Sequence, residues 1–190
     1  MAGMSGLMTH VEHGFGPVWD ETSRVLVLGS MPSPKSREAS FYYMHPRNRF
    51  WPVLQAVLAD PDDPTDRVGT TPESRRAFAL RHHVALWDVI ASCDITGASD
   101  ASIRNAVPND ITPMLRDAPI SHVFTTGGKA AQLYRRLIAP RLDDAGFDVP
   151  MTPLPSTSTA NASMRLDGLV TVYRRAFRDA GMTPPNRSDG

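Results

Sequence analysis

Residues 24–51 read RVLVLGSMPSPKSREASFYYMHPRNRFW, and the opening run of this stretch decides the fold class. RVLVL (24–28) is an unbroken β-branched and aliphatic run closed by Gly29. A strand with one wet face alternates apolar and polar residues. This one does not alternate, which is the pattern of a parallel strand buried on both faces. Working outward, HVALWDVI (83–90), HVFTT (122–126) and the short 149–154, weakened by Pro150 and Pro153, read as three further strands. Helical periodicity fills the intervals at 50–58, 73–81, 127–138 and 165–180. Residues 60–72 are loop by composition and 95–107 irregular, and Asn109 or Asp110 caps a short helix through Leu115. Strands joined by helical crossovers form a parallel sheet with helices on both faces. The expected fold class is α/β, a three-layer α/β/α sandwich around a central four-stranded parallel sheet.

The chain has 190 residues, which suits one domain; 15–182 is its expected extent, with a flexible N-terminus at 1–14 and a disordered tail at 183–190. Cys93 is the single cysteine, which excludes a disulfide framework and a Cys-rich metal or cluster site. No cofactor and no metal ligand set is expected. No apolar run approaches the ~20 residues of a membrane span. MAGMSGLMTHVEHGFG has neither the basic region nor the apolar stretch of a secretory signal. A cytoplasmic, reducing compartment and a monomer are the expectation. Twenty Lys+Arg balance twenty Asp+Glu. The cations nevertheless crowd together, as Lys35, Arg37, Arg47 and Arg49 do against only Glu38. One basic face with a small, salt-sensitive footprint is therefore compatible with neutrality.

In open parallel sheets ligands sit at the carboxyl ends of the strands. That rule selects segments 29–36, 88–94, 127–129 and 155–161. In the first, Gly29, Ser30, Ser33 and Ser36 suit a loop whose backbone amides approach an anion or a base edge. No GxGxxG or P-loop is present. Tyr42 and Tyr43 precede His45-Pro46-Arg47-Asn48, joining a stacking surface to hydrogen bonds and positive charge. The competing reading makes Tyr43, Phe50 and Trp51 core aromatics and His45-Pro46 the start of a helix. The last segment, LPSTSTANASM (154–164), offers hydroxyls and amides with almost no charge, and Leu154 or Met164 as an apolar wedge.

Together, GSMPSPKSREASFYYMHPRNRFWPVL and LPSTSTANA resemble two motifs of the uracil-DNA glycosylase superfamily. They are most similar to its hypoxanthine-DNA (DNA-deoxyinosine) glycosylase branch. ALWDVIASCDITGASDASIRNAVPND (85–110) and VFTTGGKAA (123–131) also resemble family segments, so the likeness spans roughly residues 13 to 178. It implies an α/β/α fold and hydrolysis of the N-glycosidic bond of a deaminated base flipped out of double-stranded DNA, without metal or cofactor. It implies that Tyr43 stacks on the base and Asp88 reads its edge, beside Gly29, Ser30, Met31 and Pro32. Asn48, with His45 as second candidate, would hold the attacking water. Ser156, Thr157, Ser158, Thr159 and Asn161 would enter the minor groove, with Ser36, Arg47 and Lys129 on the phosphates.

The chain departs from the family pattern in several places. Met31 stands where mismatch-specific relatives carry a water-positioning asparagine, and Leu154-Pro155 where the strongest uracil enzymes have a histidine. Ser33 replaces a glycine and Thr159 a proline. Weak activity on uracil is expected, and the alternative function is a damaged-DNA-binding module of the same fold with little or no catalysis. A small-molecule enzyme would need a phosphate fingerprint that is absent. Asp88 itself has two readings: a carboxylate that accepts hydrogen bonds from a base presenting N1–H, or a strand-end residue satisfied by the 102–110 loop.

Overall fold

The computed structural model describes residues 6–184. Its strands are β1 (Met8–Glu12), β2 (Val25–Gly29), β3 (Val84–Asp88), β4 (Ile90–Thr96), β5 (Arg104–Pro108), β6 (His122–Thr126) and β7 (Met151–Leu154). The helices are α1 (Pro34–Glu38), α2 (Phe50–Leu58), α3 (Pro72–Arg81), α4 (Thr112–Asp117), α5 (Gly128–Leu133), α6 (Ala139–Asp144) and α7 (Leu166–Asp179). A π-helical turn, Tyr134–Ile138, links α5 to α6.

Four strands form a parallel sheet in the order β3-β2-β6-β7. The absence of alternation in RVLVL is explained by what lies above and below it. Val25 and Val27 join a core with Phe50, Trp51 and Leu54 of α2, Phe78 of α3, and Tyr173 and Phe177 of α7. Leu26 and Leu28 face the opposite way, into a second core with Met114 of α4, Leu133 of α5 and Ile138. Every residue of β2 is buried. The outer edge of β3 is covered by Val18, which exchanges backbone hydrogen bonds of 2.9 and 2.8 Å with Leu86. Capping the edge this way removes a surface open to strand addition.

A second sheet, antiparallel and ordered β1-β4-β5, was not expected. Residues 8–12, read as part of a flexible N-terminus, pair along β4 from Met8↔Thr96 to Glu12↔Ser92. Residues 95–107, read as irregular, supply the end of β4 and nearly all of β5. Both edge strands are largely exposed, so neither carries an apolar pattern that local periodicity can register. β4 does bury Ile90, Cys93 and Ile95, but its register shifts twice against β5 and breaks the alternation. The expected tail at 183–190 falls outside the described residues from 185 onward. Among the described residues no helix is long and apolar enough to cross a membrane.

Candidate active site

The carboxyl ends of β2, β3, β6 and β7 open into a pocket of about 630 Å³. That volume lies within the ~300–1,000 Å³ usual for small-molecule sites. All the sequence-predicted site residues line it except Arg47, Lys129 and Asn161.

Its floor is the pairing of Gly29 with Asp88, register partners at the ends of β2 and β3. A side chain at position 29 would collide there: an added Cβ would lie 2.3 Å from Asp88 Oδ1 and 3.4 Å from the Tyr43 hydroxyl. Glycine is thus required by close approach. Asp88 is only 4% exposed. Its Oδ2 lies 2.8 Å from His13 Nε2, and its backbone carbonyl accepts a 2.9 Å bond from Asn109 Nδ2. Asn109, inside the 102–110 region, thus satisfies the Asp88 backbone, while the Asp88 side chain lines the pocket. Desolvation raises its pKa, opposed by the His13 bond.

Tyr43 stacks on Phe50 with ring centroids 3.7 Å apart, and its hydroxyl shares a 3.1 Å hydrogen bond with Thr126 Oγ1. Its φ of +53° is a left-handed conformation that a non-glycine residue adopts at some cost. Burial keeps the phenol neutral. Tyr42 is the core aromatic of the pair, buried, with its hydroxyl donating to Gly16 O at 2.9 Å.

Asn48 sits just before α2, and its Oδ1 accepts from Phe50 N and from Thr157 Oγ1, both at 2.9 Å. The N–H of Phe50 fixes which end of the amide is oxygen, and Nδ2 is left as the available group. His45 accepts from Arg47 N at its Nδ1 (3.2 Å), which places the proton of the neutral ring on Nε2. Across the mouth, Ser30 Oγ donates to Asp100 Oδ2 at 2.9 Å. Asp100 is an exposed residue whose carboxyl faces into the pocket mouth, and desolvation there raises its pKa.

Several expected DNA contacts are instead internal struts. Ser36 is 2% exposed; its hydroxyl accepts from Met44 N and Ser33 Oγ and holds the turn after α1. Thr157 is equally buried and ties the loop after β7 to Asn48. Asn161 Nδ2 donates to Ser156 O, inside that loop. Ser158 and Thr159 remain at the rim, Arg47 is exposed, and Lys129 is partly exposed at the start of α5. The basic cluster is also thinner than its sequence suggests. Arg37 donates to Pro32 O at 2.7 Å, and Lys35 pairs with Glu38 at 2.9 Å. Arg49 spends its guanidinium on carbonyls of Thr157, Ser158, Asn161 and Met164.

Three contributors escaped the sequence reading. His13 and Arg49 act through partners 75 and more than 100 positions away, and no local signal marks those pairings. Asp100 opens a short 3₁₀ turn between β4 and β5, two strands that local periodicity does not register. Among the described residues no group of three or more His, Cys, Asp or Glu could hold a metal ion.

The chain that builds this strand-end pocket matches a known family. The model of the uracil DNA glycosylase superfamily covers residues 17–178, and the chain belongs to that superfamily. Among curated proteins it is 29% identical over 167 residues to the hypoxanthine DNA glycosylase of Methanosarcina barkeri, covering 86% of this chain and 99% of the relative. The protein of the same description from Methanosarcina acetivorans is 28% identical over 152 residues, 80% and 89% of the two chains. Among solved structures, a solution NMR structure of a Methanosarcina acetivorans protein, provisionally described as a uracil DNA glycosylase, superposes with a TM-score of 0.67. It is 26% identical, and the match covers 88% of this chain and 98% of that one.

Proposed function

We propose that the protein is a DNA glycosylase that hydrolyses the N-glycosidic bond of a deaminated base, hypoxanthine foremost, extruded from double-stranded DNA. The observation that carries this reading is the pocket floor: Asp88 Oδ1 beside Gly29, with Tyr43 stacked close by, at the carboxyl ends of a parallel sheet. Extruding a nucleotide costs a few kcal/mol and least at a mispair, which an inosine or uracil provides. The base enters against Tyr43, and its ring N–H donates to Asp88.

In the reaction the C1′–N bond breaks with its electron pair on the base, and the oxygen of water bonds to C1′. Asn48 holds that water through Nδ2, since its Oδ1 is already occupied. His45 Nε2–H is a second donor at the same wall. The Asp100 carboxylate, which lines the same pocket and is made more basic by desolvation, takes the proton that the water loses, and a proton from solvent neutralises the departing base. The N–H groups of Met31 and Ser33, which have no acceptor among the described residues, are donors for charge on the leaving base. Arg47, Lys129, Ser158 and Thr159 face the DNA.

The test offers purified protein duplexes containing a single inosine, uracil or xanthine, with abasic sites scored by alkaline cleavage under single-turnover conditions. Inosine should be cleaved fastest. Binding without cleavage of any of them would replace the enzyme with a damaged-DNA-binding module.

A further inference from the structure

We propose that His13 is a positioning residue that fixes Asp88 Oδ1 as a permanent hydrogen-bond acceptor, so that the pocket admits bases carrying a ring N–H and rejects those with a ring lone pair there. This rests on the glycosylase reading and assigns its selectivity to a residue outside the pocket lining.

The argument follows protons. His13 Nδ1 lies 2.8 Å from the carbonyl oxygen of Phe15, and a carbonyl can only accept, so Nδ1 carries hydrogen. His13 Nε2 lies 2.8 Å from Asp88 Oδ2, a contact that needs a proton between two lone-pair atoms. That proton belongs either to an imidazolium facing a carboxylate or to a carboxylic acid facing a neutral ring. In both cases it lies on the Oδ2 side, and Oδ1 bears no hydrogen. Both residues are about 5% exposed, so water does not compete for the pair. Packing holds the ring in place: Phe15 lies 4.4 Å away and Tyr42 5.9 Å, centroid to centroid. Asp88 Oδ1 has no partner among the described residues and lies against Gly29 at the pocket floor. A lone Asp88 in such a dry site would instead bind a proton and could turn its O–H toward the base, acting as donor or acceptor.

An acceptor locked in this way takes the N1–H of hypoxanthine or xanthine and the N3–H of uracil. It repels N1 of adenine and N3 of cytosine, the undamaged parents of hypoxanthine and uracil. It does not by itself reject guanine or thymine, which also carry a ring N–H.

The test compares duplexes holding deoxyinosine or 2′-deoxynebularine, a purine with a lone pair at N1, opposite the same base. Single-turnover excision and binding by fluorescence anisotropy are measured for wild type, His13→Gln and His13→Phe. Comparing ratios across variants cancels the intrinsic lability of each nucleoside. Wild type should favour inosine by roughly 100-fold or more, as sites built to bond a polar group do. His13→Gln, which still donates to Asp88, should keep that ratio within about tenfold, and His13→Phe should lose most of it. An unchanged ratio in His13→Phe, or a Gln variant no better than Phe, overturns the proposal. Independently of activity and of whether His13→Phe folds, ¹⁵N NMR of histidine-labelled wild type should show Nδ1 of His13 protonated. A bare Nδ1 overturns it as well. Wild-type protein that cleaves nothing but binds inosine selectively, with that selectivity kept in His13→Gln and lost in His13→Phe, would sink the glycosylase reading while supporting the role of His13.

Discussion

Arg49 and Thr157 hold each other from both sides: Arg49 donates to the Thr157 carbonyl from its backbone N at 3.1 Å and from Nε at 3.2 Å. The Thr157 hydroxyl answers with a 2.9 Å bond to the neighbouring Asn48. The remaining guanidinium donors reach Ser158, Asn161 and Met164. The start of α2 and the loop after β7 are thereby tied together, although more than 100 residues separate them.

Arg49→Lys keeps the charge and loses the planar fork, so one ammonium must replace four carbonyl contacts. The expected cost is about 2–3 kcal/mol, equivalent to a fall in Tm of roughly 5–10 °C for a chain of this size. Limited proteolysis should begin to cut within 155–164, and inosine excision should slow by about tenfold or more. Unchanged melting and an uncut loop would show that the carbonyls hold the loop without the fork.

Gly29→Ala places a methyl group 2.3 Å from Asp88 Oδ1. Asp88 has little room to yield, because His13 holds its other oxygen and the strand register holds its backbone. The added methyl should cost about 1–3 kcal/mol through overpacking. Excision should fall far more than stability, by at least roughly 100-fold, because the acceptor is displaced from the base. Equal activity in Gly29→Ala would mean that the base does not reach this floor.

How much of this was legible in the sequence depends on distance along the chain. β6 is bounded as HVFTT predicts, and β2 and α2 fall where an unbroken run and a helical stripe put them. The two ligand loops converge because β2 and β7 flank β6, an order that the strand-end rule anticipates without knowing it. What stayed hidden is pairing at long range. His13 reads as one polar residue in a polar segment until β1 docks on β4 and delivers it to Asp88. Arg49 reads as one more cation of the basic cluster beside Arg47, since a sequence shows its charge and not the carbonyls that will surround it. β5, with Arg104 and Asn105 on an open edge, has no apolar face to announce it.

Asn48→Asp separates two roles of one side chain. The substitution keeps an oxygen for Phe50 N and Thr157 Oγ1 and deletes the Nδ2 donor. If the donor holds the water, excision should fall by about 100-fold or more, close to the loss in Asn48→Ala, while melting changes less than in Ala. An Asp variant that cleaves as well as wild type would move the water to another group and leave Asn48 as the tie between α2 and the loop.

Asp66 ties down the α2–α3 connection, and its contribution to stability should be lost in acid. It is 6% exposed, with Arg81 at 2.7 Å, His82 at 2.9 Å and Asp60 N donating at 2.8 Å. Desolvation alone would raise its pKa; the Asp60 N–H, His82 and Arg81 outweigh it and leave the carboxyl below its ordinary value. A carboxyl depressed in the folded state stabilises above its unfolded pKa, and that contribution is lost as pH falls through about 4 and then through the lower folded value. Wild type should therefore lose stability steeply below about pH 4, and Asp66→Asn should flatten that slope. At neutral pH the variant should be less stable by roughly 1–3 kcal/mol, toward the lower end because Arg81 is half exposed. Urea titrations at pH 3 and pH 7 measure both effects. A wild-type-minus-variant difference that is the same at the two pH values would show that Asp66 does not titrate in folding.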